Sequence, residues 1–126
     1  MRSAYVFLIG LVLASCSQED TQTRTPEQIR EDLRRAELHS PSMYLSVTGE
    51  LQNDTVTCTV SNTAKEADFT KVTVAVNYFD DARKLMKSDL LTLTKTVENG
   101  ASVTHKQGVT PPEGHASVTF AVREAK

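Results

Sequence analysis

The sequence predicts a mainly β protein, an antiparallel β-sandwich of six or seven strands preceded by one short α-helix. Three observations predict this fold class. From Tyr44 onward, apolar and polar residues alternate with a period of two, which is typical of strands with one buried face. Turn signals such as Asn53-Asp54 and Asn99-Gly100 separate these segments at roughly ten-residue spacing. A helical period occurs before them, over residues 26–38, and none follows them.

Each alternating segment predicts one strand. The first two, joined across Asn53-Asp54, form the clearest hairpin, and in the second strand Val56, Cys58 and Val60 all point to one face. The expected strands cover residues 44–51, 56–62, 69–79, 85–94, 101–109 and 116–123. So many short strands without a second helix favour an immunoglobulin-like sandwich, a single domain over residues 42–126.

A helix and a connector are expected over residues 26–41. Thr25 suits the position before a helix, Pro26 suits its first residue, and Gln28 can complete a capping box with Thr25. Ser40-Pro41 ends the helix. Its thin apolar stripe, Ile29 and Leu33, leaves two roles open.

The helix either docks on the sandwich through Ile29 and Leu33 or serves as a spacer, or else its arginines face lipid headgroups. These arginines are Arg30, Arg34 and Arg35. Acidic residues lie between them, so the helix has a mixed face and not a polybasic one. The mixed face favours docking or a spacer.

The N-terminal segment is typical of a secretion signal. Arg2 precedes an apolar run over residues 4–14. Eleven helical residues reach only about 16 Å, whereas the apolar core of a bilayer is about 30 Å thick. A charged start, a short apolar run and small residues at its end therefore predict a cleaved signal peptide over residues 1–15.

The end of this run, Leu13-Ala14-Ser15-Cys16, resembles the lipobox of bacterial lipoproteins. The resemblance implies cleavage before Cys16, with a diacylglyceryl group on its sulfur and an acyl chain on its new amine. Two or more acyl chains anchor a protein stably, whereas one chain binds only marginally. Residues 16–25 are polar and are expected to form a flexible tether.

The residues after Cys16 bear on localisation. By the enterobacterial sorting pattern, Ser17 in place of aspartate implies the outer membrane. Gln18-Glu19-Asp20 is similar to the acidic export signal of Bacteroidota surface lipoproteins. We therefore expect a lipid-anchored protein of the cell envelope, and both a periplasmic and a surface-exposed position stay open.

The alternating region resembles the FxLYD type of immunoglobulin-like domain over residues 45–122. The matching features are Asn62-Thr63, the Val-rich strand at 72–76, Phe79-Asp80 and Phe120. The sequence departs from the family pattern at two turns: Ala82 or Arg83 stands where glycine is usual, and Asn99-Gly100 replaces Pro-Gly. Both changes are compatible with a turn. The resemblance implies an extracytoplasmic accessory module without catalytic residues.

The reactive side chains do not form a recognisable site in the sequence. With Cys16 lipidated, Cys58 has no disulfide partner and is expected to act as a small buried hydrophobe. His39, His105 and His115 are far apart and lack ligand spacing, so no metal or other cofactor is expected.

Two further features of the sequence suggest a site. Asp68, Asp80 and His115 would form a loop site if the fold brings them together, and the alternative function is then small-ligand binding or hydrolysis. Asp54-Thr55-Val56 is similar to the O-glycosylation site of secreted Bacteroidota proteins, which makes Thr55 a candidate for modification.

The distribution of charged residues bears on which kinds of partner the chain can bind. Arg2 is the only charged side chain before Cys16, so 13 of the 14 basic side chains and all 16 acidic ones follow it. Without a basic cluster the chain is not expected to bind nucleic acid. We expect a monomer without enzymatic activity that binds an envelope protein, and a purely structural spacer stays open as an alternative.

Overall fold

The computed structural model describes residues 24–126 and contains six strands there. The strands are β1 (Leu45–Gln52), β2 (Thr55–Asn62), β3 (Val72–Phe79), β4 (Leu85–Thr92), β5 (Ser102–Gly108) and β6 (Ser117–Ala125). They form two three-stranded antiparallel sheets, with strand orders β1-β2-β5 and β4-β3-β6. This confirms the mainly β fold and the predicted hairpin. The immunoglobulin-like connectivity stays a prediction.

The core lies between the two sheets. Val56, Cys58 and Val60 of β2 are fully buried, as are Val76 and Tyr78 of β3. Both clusters of buried apolar residues draw side chains from both sheets. The period-two alternation therefore arises because each central strand turns one face to the opposite sheet.

Helix α1 spans Pro26–His39 and begins as the sequence predicts. The Thr25 amide donates to Oε1 of Gln28 at 2.9 Å, and the Gln28 amide donates to Oγ1 of Thr25 at 3.2 Å. These reciprocal bonds form the predicted capping box and satisfy two amides that have no partner within the helix.

A second helical turn, α2 (Pro41–Tyr44), was not predicted. Pro41 does end α1, but its fixed φ also suits the first residue of a new turn. The α2 turn leads directly into β1 at Leu45.

The carboxyl end of α1 packs differently from the expectation. Leu33–Lys126 form one compact unit. In it, Leu38 and Tyr44 pack against the core, while Leu33 keeps 37% of its surface exposed. Within this unit, contact with the sandwich comes from the last turn of α1. Docking through Ile29 stays a prediction.

The two sheets meet most closely where β1 contacts β6. A Cβ added to Gly49 of β1 would lie 2.9 Å from the ring of Phe120 on β6. Glycine is therefore required there by close approach, because a side chain would overlap the ring. The opposite side of the sandwich, between β4 and β5, is open.

Candidate functional site

A shallow cleft of about 260 Å³ lies between the edge strands β4 and β5. One wall comes from β4 and the other from the end of β5 and the segment that follows it. The lining residues are Lys87, Asp89, Leu90, Leu91, Gln107, Gly108, Val109 and Thr110. Among the described residues this is the place where charged side chains gather at the sandwich opening.

Strand register explains why charges occur at this opening. Lys87 pairs with Tyr78, and Asp89 pairs with Val76. Residues opposite each other in a sheet share a face, and Tyr78 and Val76 are both fully buried. Lys87 and Asp89 therefore occupy inward positions of β4, and the edge location lets their charged ends reach solvent.

A hydrogen-bonded network connects these side chains. The Tyr78 hydroxyl donates to Oδ2 of Asp89 at 2.9 Å, and Nζ of Lys87 lies 3.4 Å from the other carboxylate oxygen. Nζ of Lys87 also donates to the Thr110 carbonyl at 3.0 Å. The network thus joins β3, β4 and the segment after β5.

The environment holds Tyr78 in its neutral form. Burial, then the hydrogen bond to Asp89 and its negative charge, raise the pKa of Tyr78 to about 12. At neutral pH the hydroxyl is therefore a hydrogen-bond donor and not a base. The cleft is equipped to orient a polar or charged group beside Lys87, whose side chain is 42% exposed.

His115 covers the aromatic part of this network. Its ring meets the Tyr78 ring edge-on, with centroids 5.9 Å apart and planes at 77°. Nδ1 lies 3.0 Å from the Pro112 carbonyl, which can only accept, so Nδ1 carries the hydrogen. His115 is thus held by a turn and packs on Tyr78.

The expected site of Asp68, Asp80 and His115 does not assemble. Asp68 precedes β3 and Asp80 follows it, and an eight-residue strand is about 26 Å long. Asp80 instead accepts hydrogen bonds within its own turn, and Asp68 accepts them from Asn99 in the segment between β4 and β5. Oδ1 of Asp68 accepts from the Asn99 amide at 2.8 Å, and Oδ1 of Asp80 accepts from the Ala82 and Lys84 amides at 2.9 Å.

A buried carboxylate that sequence reasoning missed is Glu37, near the end of α1. Only 1% of its surface is exposed. Its carboxylate accepts three backbone hydrogen bonds, from the amides of Lys65 at 2.8 Å, Glu66 at 2.9 Å and Ala67 at 3.0 Å. It thereby fixes the loop between β2 and β3 to the helix end.

The charge of Glu37 is retained despite burial. Burial raises the pKa of this carboxyl, but the three backbone hydrogen bonds and the Lys65 charge together lower it below the ordinary 4.5. Helical spacing placed Glu37 among solvated charges, and only the packing of a distant loop shows its role.

Asn62 organises the same loop from the other side. It is 2% exposed, and Nδ2 donates to the carbonyls of Ala67 at 2.8 Å and Val97 at 3.1 Å. Oδ1 accepts from the Ala64 amide at 2.9 Å. One of the residues behind the family resemblance therefore has a structural function here.

The remaining sequence candidates lie apart from the cleft network. Thr55 is exposed at the first residue of β2, so its hydroxyl is accessible, and its glycosylation stays a prediction. Cys58 is free and fully buried, as predicted, and burial raises the pKa of its thiol. Its neighbour across the sheet is His105, whose Nε2 lies 3.0 Å from Oε1 of Gln107.

Several predictions concern residues that the structure does not describe, or concern metal and membrane binding. Cys16, the signal segment and the tether up to residue 23 lie outside the described residues. Within residues 24–126, no cluster of three or more potential metal ligands occurs. In the same range, no helix is long and apolar enough to cross a bilayer.

Comparison with family models, curated proteins and solved structures gave no match. The resemblance to FxLYD domains therefore stays a prediction, and the functional argument depends on the residues of this chain.

Proposed function

We propose that this chain is a lipid-anchored module of the bacterial cell envelope, in which a tether and a helix present a β-sandwich that binds a protein partner. The observation that carries the proposal is the lipobox-like motif at residues 13–16 in front of a sandwich whose other cysteine is buried. The motif supports the anchor, and the sandwich edges support the binding role.

The burial of Cys58 supports a separate use for Cys16. Cys58 is fully buried between the sheets. A disulfide needs Cα atoms within about 7 Å, so a pair with Cys16 would require the tether to enter the core. Cys16 is therefore free to carry the lipid, and Ser17 agrees with the outer membrane as the destination.

Two sheet edges support protein binding. Among the described strands, β5 pairs only with β2, and β4 pairs only with β3. An edge strand carries backbone amides and carbonyls without a strand partner, which another chain can pair with. A tethered sandwich with free edges suits an accessory role, in which the protein binds a partner and does not catalyse a reaction.

Metabolic labelling tests the anchor. In cells of the native host fed labelled palmitate, the wild-type chain is expected to take up label, and Cys16→Ser is expected to lose it. Cys58→Ser is the matched control and should be labelled like the wild type. A wild-type chain without label would contradict the anchor.

Crosslinking in intact cells tests the binding role. A tagged full chain should recover the same envelope protein in every replicate. The control carries residues 1–25 fused to an unrelated domain, which keeps the anchor and removes the sandwich. Recovery of the same protein with this control, or of none with the full chain, would count against a binding sandwich.

A further inference from the structure

The four sheet edges among the described strands are not equivalent. β1 and β6 contact each other where the sheets meet, whereas β4 and β5 border the open cleft. β4 and β5 therefore lie on the side of the sandwich where, among the described residues, the two sheets leave a cleft. The question is then which of them is suited to pairing.

The hydrogen-bond pattern of β5 can be derived from the two ends of its ladder. The Val109 amide donates to the Asp54 carbonyl at 2.8 Å, and the Asn62 amide donates to the Ala101 carbonyl at 2.9 Å. In an antiparallel pair, bonded and non-bonded positions alternate. The backbone groups of Ser102, Thr104, Lys106 and Gly108 therefore point away from β2, toward the free edge.

β4 carries two features that discourage pairing. Lys87 and Asp89 are charged residues at inward positions, and the register shifts between Tyr78 and Phe79. Inward charges and bulges are the devices by which natural edge strands avoid uncontrolled association. β5 has neither lysine nor carboxylate at its inward positions, and its register with β2 is unbroken over residues 102–108.

The charges near β5 indicate what kind of strand would pair there. Lys106 is exposed on β5. On the opposite wall, Nζ of Lys87 lies 3.4 Å from Oδ1 of Asp89, so these two charges balance each other. Lys106 is therefore the charge on β5 that an added strand meets. A second copy of the chain would bring another Lys106 to the same short edge, whereas an acidic strand would balance it.

We propose that the β5 edge binds an extended acidic segment of a partner protein, which joins the sheet as a fourth strand after β5. Main-chain hydrogen bonds form with Ser102, Thr104 and Lys106, and alternate side chains of the segment enter the cleft beside Lys87. The inference depends on the proposed function, because it specifies the surface and the partner of that binding module.

Thr104→Pro tests the edge directly. Proline removes an outward amide and is tolerated on an edge strand whose amide faces solvent. Ser88→Pro on β4 is the matched control. Leu93 donates to the Val72 carbonyl at 2.8 Å, so the same alternation directs the Ser88 amide outward as well.

The probe is a library of random twelve-residue peptides displayed on phage and selected against the purified full chain. Selected peptides should be acidic, with residues alternating in period two. They should bind wild type and Ser88→Pro equally, and Thr104→Pro at least about tenfold more weakly, since one main-chain hydrogen bond and the strand geometry are lost. Added salt should weaken binding.

Two results would overturn the inference: no enriched peptide, or peptides that bind Thr104→Pro as well as wild type. A dimer of the free chain in sedimentation, lost in Thr104→Pro, would assign the edge to a second copy instead. If Thr104→Pro does not fold, amide hydrogen exchange of the wild-type chain tests the β5 edge instead. A selected peptide must then protect the Thr104 and Lys106 amides of the wild type.

Crosslinking of the Thr104→Pro variant in cells distinguishes failure of the β5 edge from failure of the proposed function. If the envelope protein crosslinked in cells is still recovered with a folded Thr104→Pro variant, the binding module stands and the β5 edge is wrong. If no envelope protein is recovered with wild type, the module itself fails.

Discussion

At the scale of single residues, the buried polar groups are fully partnered. Glu37 and Asn62 are almost completely buried, and five hydrogen bonds join these two side chains to the loop between β2 and β3. A sixth joins Asn62 to the Val97 carbonyl. Within the described residues, no buried side-chain nitrogen or oxygen lacks a partner. A charge can stay in this interior because three backbone amides replace the water it loses.

Glu37→Gln should lower the free energy of unfolding at pH 7 by about 1–3 kcal/mol, because an amide group cannot accept all three backbone hydrogen bonds. The pKa of Glu37 is lowered by folding. Its stabilising contribution is therefore full above the unfolded value of 4.5 and is lost as the pH falls through the folded pKa.

Urea unfolding at pH 7 and at pH 3 checks this prediction, and the difference between Glu37→Gln and wild type should shrink at the lower pH. Glu113→Gln, at an exposed turn, is the control and should stay within about 0.5 kcal/mol of wild type. A difference that grows as the pH falls would contradict the assigned role of Glu37.

Gly49→Ala should destabilise the sandwich by about 1–3 kcal/mol, because the new Cβ lies 2.9 Å from the Phe120 ring. Phe120→Leu in the same chain should recover part of the loss, which a double-mutant cycle in urea measures. Gly108→Ala is the control, since its nearest atom is the Asp54 carbonyl oxygen at 3.9 Å. Equal effects of the two glycine changes would refute the close-approach argument.

Arg83→Gly should stabilise the protein by about 0.5–1 kcal/mol, because Arg83 has a φ of 64° that glycine adopts without strain. Thermal unfolding measures the gain. Ala82→Gly, one residue earlier in the turn, should instead destabilise by a similar amount. The family resemblance places glycine at either Ala82 or Arg83. A loss of stability in Arg83→Gly would argue against backbone strain at Arg83.

At the scale of elements, the edge strands differ although their sequences both alternate. β4 has two charges at inward positions, whereas the inward positions of β5 hold Val103, His105 and Gln107. The alternation pattern alone predicts both strands. Their different capacities for pairing become visible only when register and sheet order are known.

Amide hydrogen exchange of the free chain should alternate along β5. The amides of Val103, His105 and Gln107 bond to β2 and should exchange slowly, whereas those of Ser102, Thr104 and Lys106 should exchange at rates close to those of loop residues. Two-dimensional NMR after transfer into D₂O measures these rates. Uniform protection along β5 would show that its edge is already covered.

Sequence reasoning reached most of the elements because their signals are local. The capping box of Thr25 and Gln28, the turn at Asn53-Asp54 and the alternation of the strands depend on residues close in the chain. The cleft network could have been suspected from Lys87 and Asp89, two charges at positions that alternation assigns to the core. Their partner Tyr78 lies on another strand, so the contact required the register.

At the scale of the whole molecule, the two cysteines have different expected roles. Cys58 is fully buried between the sheets, so its thiol is shielded by the complete fold. Cys16 precedes the described residues and, in the proposed function, attaches the chain to the membrane. In the proposed function, one chain thus combines a lipid anchor at Cys16 with a sandwich in which Cys58 is a free, buried thiol.

The Cys58 thiol should react with a thiol reagent only when the sandwich unfolds, because burial excludes the reagent and also raises the pKa of the thiol. Reaction of a Cys16→Ser chain with DTNB, followed by absorbance, should be slow in the native state and should become complete in denaturant. Thr104→Cys, at an exposed position, is the control and should react at once. Rapid labelling of native Cys58 would contradict its place in the core.

The sequence by itself determined the β alternation, the helix start, the positions of the turns and the expectation of a lipid anchor, because each depends on neighbouring residues. Tertiary structure decided which charges are buried and which edge is open. Glu37 meets amides 28–30 residues away, and the outward groups of β5 follow from pairing with β2. Such contacts depend on register and sheet order, which bring distant segments together and leave no local pattern.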